Sequence, residues 1–526
     1  MVMDEESPDA TILNETLQKV AKGASIVFVG SVIGIIVAFV ARVLIARNYT
    51  PEEYGIFSLG FVILSICTII GTLGLQDGTA RQIAYYTGKK DERKINGIIS
   101  YSLLLGLVAG GILFLLLFFS SSLISEKFFH LPSLSYTLKI FSFAIPFFIL
   151  LYIFTAIFRG FGSVKEKVIF MDFLRNLLFL LFLLCILWFT PSFKWVVLSF
   201  SASIILTLAL LLIYIIIKNP PIFSKISIKK VNHSTGKELL LFSLPLLFVS
   251  ILYLIMNWTD TIMLGYFKTA DIVGLYNAAL PLGQFISVAL SSMLFVYMPI
   301  VSELHAKNQI YEMKRSYVVL TKWLSAVTFP LAMIFALFPY TVLNFLFGHK
   351  YILAGTALQI LAFGFFINNL MGPNGATLTA MGKTKFLMKV TFAAACINVV
   401  LNALLIPKYG INGAAFATVT ALILINIIRS IKLYSISKIH PLERNILKPL
   451  ILCGLIFFTI YIVTKKFLII TFWMLPIIFI IFLVLYGISL LITKSFDKED
   501  IEMLTAIENK TGINLSLIRR AIKRFE

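Results

Sequence analysis

Long apolar runs constrain this sequence more than any motif does. A bilayer core about 30 Å thick needs roughly 20 apolar residues per crossing helix. Fourteen runs of about that length follow one another: 24–46, 54–76, 96–120, 135–158, 168–190, 194–217, 238–263, 272–298, 317–338, 353–381, 386–406, 411–433, 447–464 and 468–493. The chain is 59% hydrophobic and 13% charged, where an ordinary soluble domain is about 45–50% apolar and about 25% charged. That balance excludes a soluble enzyme, a disordered chain and a secreted disulfide scaffold. Lipid offers backbone groups no hydrogen bonds, so the spans must be helices. The expected fold class is an all-α integral membrane protein with fourteen transmembrane helices.

The net charge of +20, from 45 Lys+Arg against 25 Asp+Glu, would suggest nucleic acid in a soluble protein. Placed residue by residue, it is a topology signal. The N-terminal segment, the even-numbered connections with their borders and the tail hold 34 of the 45 cations, including Lys89, Lys90, Arg93, Lys94, Lys225, Lys229 and Lys230. The odd-numbered connections hold nine, among them Arg47, Lys268 and Lys350, and two more, Arg42 and Arg175, fall inside spans. Positive residues accumulate in cytoplasmic loops, so both termini are expected in the cytoplasm and the chain in the cell membrane, with no nucleic-acid partner. The first span is too long and too far from residue 1 for a signal peptide.

A repeat is visible at a shift of about 219–220 residues. Thr50, Glu52, Gly55 and Phe57 align with Thr269, Asp271, Gly274 and Tyr276, and Gly162 and Lys165 with Gly382 and Lys385. Six spans is an even number, so the second unit enters the membrane with the orientation of the first. The prediction is two parallel six-helix lobes around a central cavity, plus two appended C-terminal helices. The expected segments are a cytoplasmic interfacial stretch 1–23, an N-terminal lobe 24–217, a linker 218–237, a C-terminal lobe 238–433, a helix pair 447–493 and an amphipathic tail 494–526.

An ionisable group deep in a membrane costs at least about 2.5–3.5 kcal/mol on insertion scales. Arg42 lies in span one. It either snorkels to headgroups or faces the cavity, where its planar fork suits phosphate. Asp260, within Asn257-Trp258-Thr259-Asp260-Thr261 of span seven, lies at nearly the repeat-equivalent level. It could pair with Arg42 as an outer gate, take up a coupling ion, or make a structural polar contact. Asp172 and Arg175, and Asp77 and Arg81, have spacings that neutralise each other along one helix.

Span ten carries Asn368-Asn369-Leu370-Met371-Gly372-Pro373-Asn374-Gly375, and Pro373 with its glycines predicts a break there. The four cysteines lie singly in apolar spans and the histidines have no ligand spacing. No phosphate loop and no nucleophile elbow is found. The sequence thus points to no catalytic residues, no metal and no cofactor.

Other segments carry a family likeness from about residue 20 to 490. They are Asp260-Thr261-Ile262-Met263-Leu264-Gly265-Tyr266-Phe267, Val273-Gly274-Leu275-Tyr276-Asn277-Ala278-Ala279, Gly382-Lys383-Thr384-Lys385, and Ile406-Pro407-Lys408-Tyr409-Gly410-Ile411-Asn412-Gly413-Ala414-Ala415. With them the chain resembles the polysaccharide-biosynthesis (Wzx-type) flippases, in the fold superfamily that also holds MATE exporters and lipid II flippases. The resemblance implies a flippase, not an enzyme, which moves a polyprenyl-(pyro)phosphate-linked oligosaccharide from the cytoplasmic to the outer leaflet by alternating access. It implies the lipid-linked substrate and membrane lipids as partners. A proton or sodium ion as coupling ion and glycan assembly enzymes as neighbours are compatible with it. Substrate-binding candidates are Arg42, Asn368, Asn369 and Asn374, and gate or ion-coupling candidates are Asp260 and Asn257. The alternative is a MATE-like cation-coupled multidrug exporter. Against it, spans one, three, four and six have no carboxylate in their interiors.

Overall fold

The computed structural model describes residues 29–189, 192–218, 233–441, 443–467, 471–496 and 500. The stretch 1–23, most of the linker and nearly all of the tail lie outside them. The regular structure of the described residues is helical throughout, and thirteen of their helices are long and apolar enough to cross a membrane. The chain is a multi-pass membrane protein made of two compact units, Met1–Gly274 and Leu275–Glu526.

The first unit contains α1 (Val29–Asn48), α2 (Pro51–Gly71), α3 (Leu75–Gly88), α4 (Glu92–Leu123), α5 (Leu134–Gly160), α6 (Arg175–Phe189), α7 (Phe193–Lys218) and α8 (His233–Phe267). A capping box starts α2. The Thr50 hydroxyl accepts from the Glu53 backbone N–H at 3.2 Å, and the Glu53 carboxylate accepts from the Thr50 N–H at 2.9 Å. These bonds satisfy two donors that a helix start leaves open. Span two then bends between α2 and α3, where Leu73 (φ 51°) and Gly74 (φ 74°) adopt left-handed backbone. A Cβ on Gly74 would lie 2.2 Å from the Ser243 carbonyl oxygen, so only glycine lets α8 approach. The core of the unit is aromatic: Phe57 meets Phe141, Phe179 and Phe200 at centroid distances of 5.8, 6.0 and 5.6 Å.

The repeat pattern assigns span seven to the second lobe. In the structure its helix, α8, packs in the first unit. Ser243 fits against Gly74 and Gly78, Thr235 lies over Gly97, and Gly236 accepts the Tyr101 ring. Polar contacts reinforce this packing. Lys94 bridges to Glu238 at 3.2 Å, Tyr86 donates to Glu238 at 2.8 Å, and Arg81 lies 4.3 Å from the centre of the Phe242 ring.

The second unit takes over within α9 (Ala270–Ala306), whose first turn belongs to the first unit. It continues through α10 (Ile310–Leu337), α11 (Pro339–Phe347), α12 (Gly355–Leu370), α13 (Asn374–Ala380), α14 (Thr384–Ser437), α15 (Arg444–Phe467) and α16 (Met474–Ile492). Helix α14 is 54 residues long and holds two of the apolar runs, divided at Gly410 (φ 54°, ψ −129°). Span ten breaks where the proline and glycines predict, between Leu370 and Asn374, with Gly372 at φ 65°. The appended pair α15 and α16 packs on α10 through Phe329, Phe457 and Phe482. After α16 the chain returns to α10. There Asp500 pairs with Lys322 and accepts from the Trp323 indole at 2.8 Å, with both members of the ion pair buried.

Candidate functional site

Arg42 projects from α1 and is half-buried, with its guanidinium carbon 5.7 Å from the centre of the Phe61 ring. The same ring meets Trp258 of α8 edge-on at 5.7 Å, which places Arg42 at the level of the Asn257–Thr261 segment. Among the described residues, Arg42 and Asp260 form no ion pair. Asp260 is 3% exposed and engaged with other groups. Asn257 turns its amide onto the Tyr253 carbonyl of its own helix at 2.7 Å.

A second cation, Arg175, opens α6 directly after a π-helical stretch, Lys167–Leu174. Neither arginine has a carboxylate within salt-bridge distance among the described residues. Arg175 is steadied by Asn176 at 2.9 Å, by the Met171 carbonyl at 3.3 Å and by the Phe148 ring at 5.2 Å. Asp172 does not form the expected i, i+3 pair. Its carboxylate accepts from Ser31 of α1 at 2.7 Å. Gly34 makes this docking possible, because a Cβ there would lie 2.2 Å from the Asp172 carbonyl oxygen. Asn176 completes the joint, donating to the carbonyls of Gly34 at 3.2 Å and Asp172 at 2.7 Å.

Asp77 and Arg81 also part company. Asp77 pairs with Arg159 of α5 at 2.6 Å, and Arg81 stacks on Phe242. Helical spacing identified charged neighbours in both cases, but partners on other helices compete for them.

In the second unit, Asn368, Asn369 and Asn374 surround the break in span ten. Asn369 is fully buried and donates to the Ile286 carbonyl at 2.8 Å. Asn374, 2% exposed, donates to Asn426 Oδ1 and Ser430 Oγ, both at 3.1 Å. Asn426 of α14, which the sequence reading does not single out, donates in turn to Asn368 at 2.9 Å. The Tyr317 hydroxyl donates to the freed Met371 carbonyl. The amide cluster therefore satisfies backbone and side-chain groups around a helix break. Asn368 alone of the three is half-exposed.

Known proteins share both sequence and fold with this chain. The sequence signature described as "Polysaccharide biosynthesis protein" matches residues 20–305, and that described as MatE matches 245–404. An uncharacterized membrane protein of Methanocaldococcus jannaschii is 32% identical over 281 residues, covering 46% of this chain and 55% of that protein. A Haloferax volcanii protein named as the low-salt glycan biosynthesis flippase Agl15 is 25% identical over 197 residues, covering 36% of this chain and 41% of its own. The chain thus spans about half the length of these two curated relatives. A Shigella flexneri protein named as an O-antigen transporter is 25% identical over 403 residues, covering 74% of this chain and 91% of its own. Among solved structures, the lipid II flippase MurJ in its inward closed conformation superimposes with a TM-score of 0.68 at 15% identity, over 89% of this chain and 97% of that one. That likeness establishes the fold. The signature over residues 20–305 covers more than half of the chain, which therefore belongs to the polysaccharide biosynthesis protein family.

Proposed function

We propose that this chain is a flippase that turns a polyprenyl-(pyro)phosphate-linked oligosaccharide from the cytoplasmic to the outer leaflet by alternating access. The observation that carries this reading is Arg42, a half-buried cation in a membrane-spanning helix with no carboxylate within salt-bridge distance among the described residues. Arg175, on another helix of the same unit, is likewise without one, and cations so placed suit a bound anion. A pyrophosphate presents oxygens that two planar forks can grip bidentately, and in a low-dielectric setting that attraction is strong. The names of the Haloferax and Shigella relatives, a glycan flippase and an O-antigen transporter, agree with such a cargo.

The remaining roles follow from exposure. Asn368 is half-exposed and is the one of the three that a sugar hydroxyl can reach, whereas Asn369 and Asn374 hold the break that positions it. Buried Asp260, with Asn257 one turn earlier, is the candidate for taking up a proton or sodium ion. Both termini face the cytoplasm of a plasma-membrane protein that works beside glycan assembly enzymes.

The MatE match over 245–404 supports a second reading as a multidrug exporter. Guanidiniums without a neutralising carboxylate repel the cationic compounds that such a reading would assign as cargo. The experiment that separates them uses proteoliposomes and a fluorescent lipid-linked oligosaccharide. The wild type is expected to move the lipid. Arg42→Ala is expected to slow it between about tenfold and a hundredfold, the equivalent of one or two charge-assisted hydrogen bonds. Unchanged translocation by Arg42→Ala would remove the site. Efflux of cationic dyes without lipid movement would remove the function.

A further inference from the structure

One long stretch of the chain is basic without relief. No Asp or Glu occurs between Glu312 and Glu443, and the cations there include Lys383, Lys385, Lys389, Arg429 and Lys432. Most of them mark loops and helix ends, as the topology requires. Arg429 lies deeper, about one helical turn inside the end of the run 411–433, and is half-buried. An arginine at that level that only relieved its own burial would reach out to the lipid headgroups. Arg429 turns inward instead. Its Nη2 donates to the Thr391 hydroxyl at 3.0 Å, and Thr391 donates in turn to the Leu387 carbonyl at 2.8 Å. Its Nη1 lies beside Gly375, where a Cβ would stand 3.4 Å away. Thr391 thus fixes the plane of the fork, and a glycine in α13 gives it room.

The groups on either side of Arg429 along α14 extend the same chemistry. Lys432, three residues on, is half-buried and lies 5.7 Å from the centre of the Phe386 ring. It forms no ion pair among the described residues. Asn426, three residues back, donates to half-exposed Asn368 at 2.9 Å. Residues three apart are neighbours on a helix surface, so an ammonium, a guanidinium and an amide follow one another along α14. Glu443, the carboxylate that closes the acid-free stretch, is engaged by Lys314 at 3.0 Å. All of these residues belong to the second unit. The cation distribution predicts that this end of α14 faces the cytoplasm, the side from which the cargo is taken up.

We infer that Arg429 and Lys432 form a site on the second unit that takes up the phosphate of the lipid-linked cargo from the inner leaflet, with the sugar next to that phosphate reaching Asn368. The inference rests on the flippase reading above. It adds a phosphate site at the cytoplasmic level, whereas Arg42 lies near the outer end of its own run. The chemistry fits a phosphate ester. A guanidinium held in one plane grips two of its oxygens, and an ammonium one turn away neutralises further charge without demanding a fixed geometry. Basic groups between spans on the cytoplasmic side hold lipid headgroups in the same way.

The test is binding to the full chain in detergent, read by native mass spectrometry. The probes are a polyprenyl-pyrophosphate-linked oligosaccharide, sugar-free polyprenyl phosphate, phosphatidylglycerol and inorganic phosphate. The wild type is expected to hold the two polyprenyl probes in preference to the other two. Arg429→Gln should weaken both polyprenyl probes by about tenfold or more, the loss of a charge-assisted hydrogen bond. Lys432→Gln should weaken them by about fivefold. Asn368→Ala should weaken the sugar-bearing probe alone, and equal loss of both would overturn the placement of the sugar. Unchanged affinity in Arg429→Gln, at wild-type thermal stability, would overturn the site. Should Arg429→Gln not fold, Lys432→Gln decides, and wild-type affinity for polyprenyl phosphate in that variant overturns the site. Phosphatidylglycerol or inorganic phosphate held as tightly as the polyprenyl probes, and lost equally with Arg429→Gln, would make this a site for a resident lipid or a free anion and overturn its role in loading. A chain that binds the polyprenyl probes through Arg429 yet moves neither across proteoliposomes would overturn the flippase reading and leave the site standing.

Discussion

Arg175 sits three residues after Asp172, a spacing that on a regular α-helix brings two side chains together. They do not pair because Lys167–Leu174 is π-helical, and the extra residue per turn rotates the two away from each other. The sequence therefore pairs Arg175 off with Asp172, whereas Arg42 is legible as a lone cation deep in an apolar run. If one phosphate group bridges both, their effects are not additive. Arg42→Ala/Arg175→Ala should then slow translocation by clearly less than the product of the two single losses, measured side by side in the same liposomes. Independent, multiplicative losses would separate the two arginines.

The buried Lys322–Asp500 pair was equally invisible, since 178 residues separate its members and no spacing rule connects them. Asp500→Asn strands an ammonium in the interior and should cost about 3–5 kcal/mol. Lys322→Met with Asp500→Leu should recover most of that cost. Thermal unfolding of detergent-solubilised protein reads both.

At the scale of elements, the physics of the bilayer made most boundaries readable. A helix that crosses lipid must be apolar over a fixed length, so the runs and the helices coincide closely. The break in span ten was legible because Pro373 and Gly372 both act locally. Its stabilisation was not, because Asn426 reaches it from α14, more than fifty residues away. Asn426→Ala removes bonds to both Asn374 and Asn368 and should cost about 1–3 kcal/mol. That loss is expected as a lower melting temperature together with slower translocation. A variant with wild-type stability would show that the break holds itself. The bend in span two escaped the sequence reading for a different reason. It turns on Leu73, a residue with no preference for positive φ, held there by the packing of α8 against Gly74 and Gly78.

At the scale of the whole molecule, sequence and structure divide the chain at different places. The repeat divides it before span seven, because similarity records descent. Contacts divide it at Gly274, because α8 has laid its small and aromatic residues against α2, α3 and α4. The orientation expected from the cations has its own test. Lys350→Cys and Lys90→Cys are both at exposed positions. An impermeant maleimide added to intact cells should label Lys350→Cys and leave Lys90→Cys untouched until the membrane is opened. The reverse pattern would invert the topology, and with it the direction assigned to transport.

Gly55 and Gly274 fit each other reciprocally, because the space a Cβ would need at each is taken by a backbone carbonyl of the other segment, Ala270 for Gly55 and Pro51 for Gly274. A side chain gained at either position would collide with that backbone, and no smaller residue at the other could relieve it, because both are already glycine.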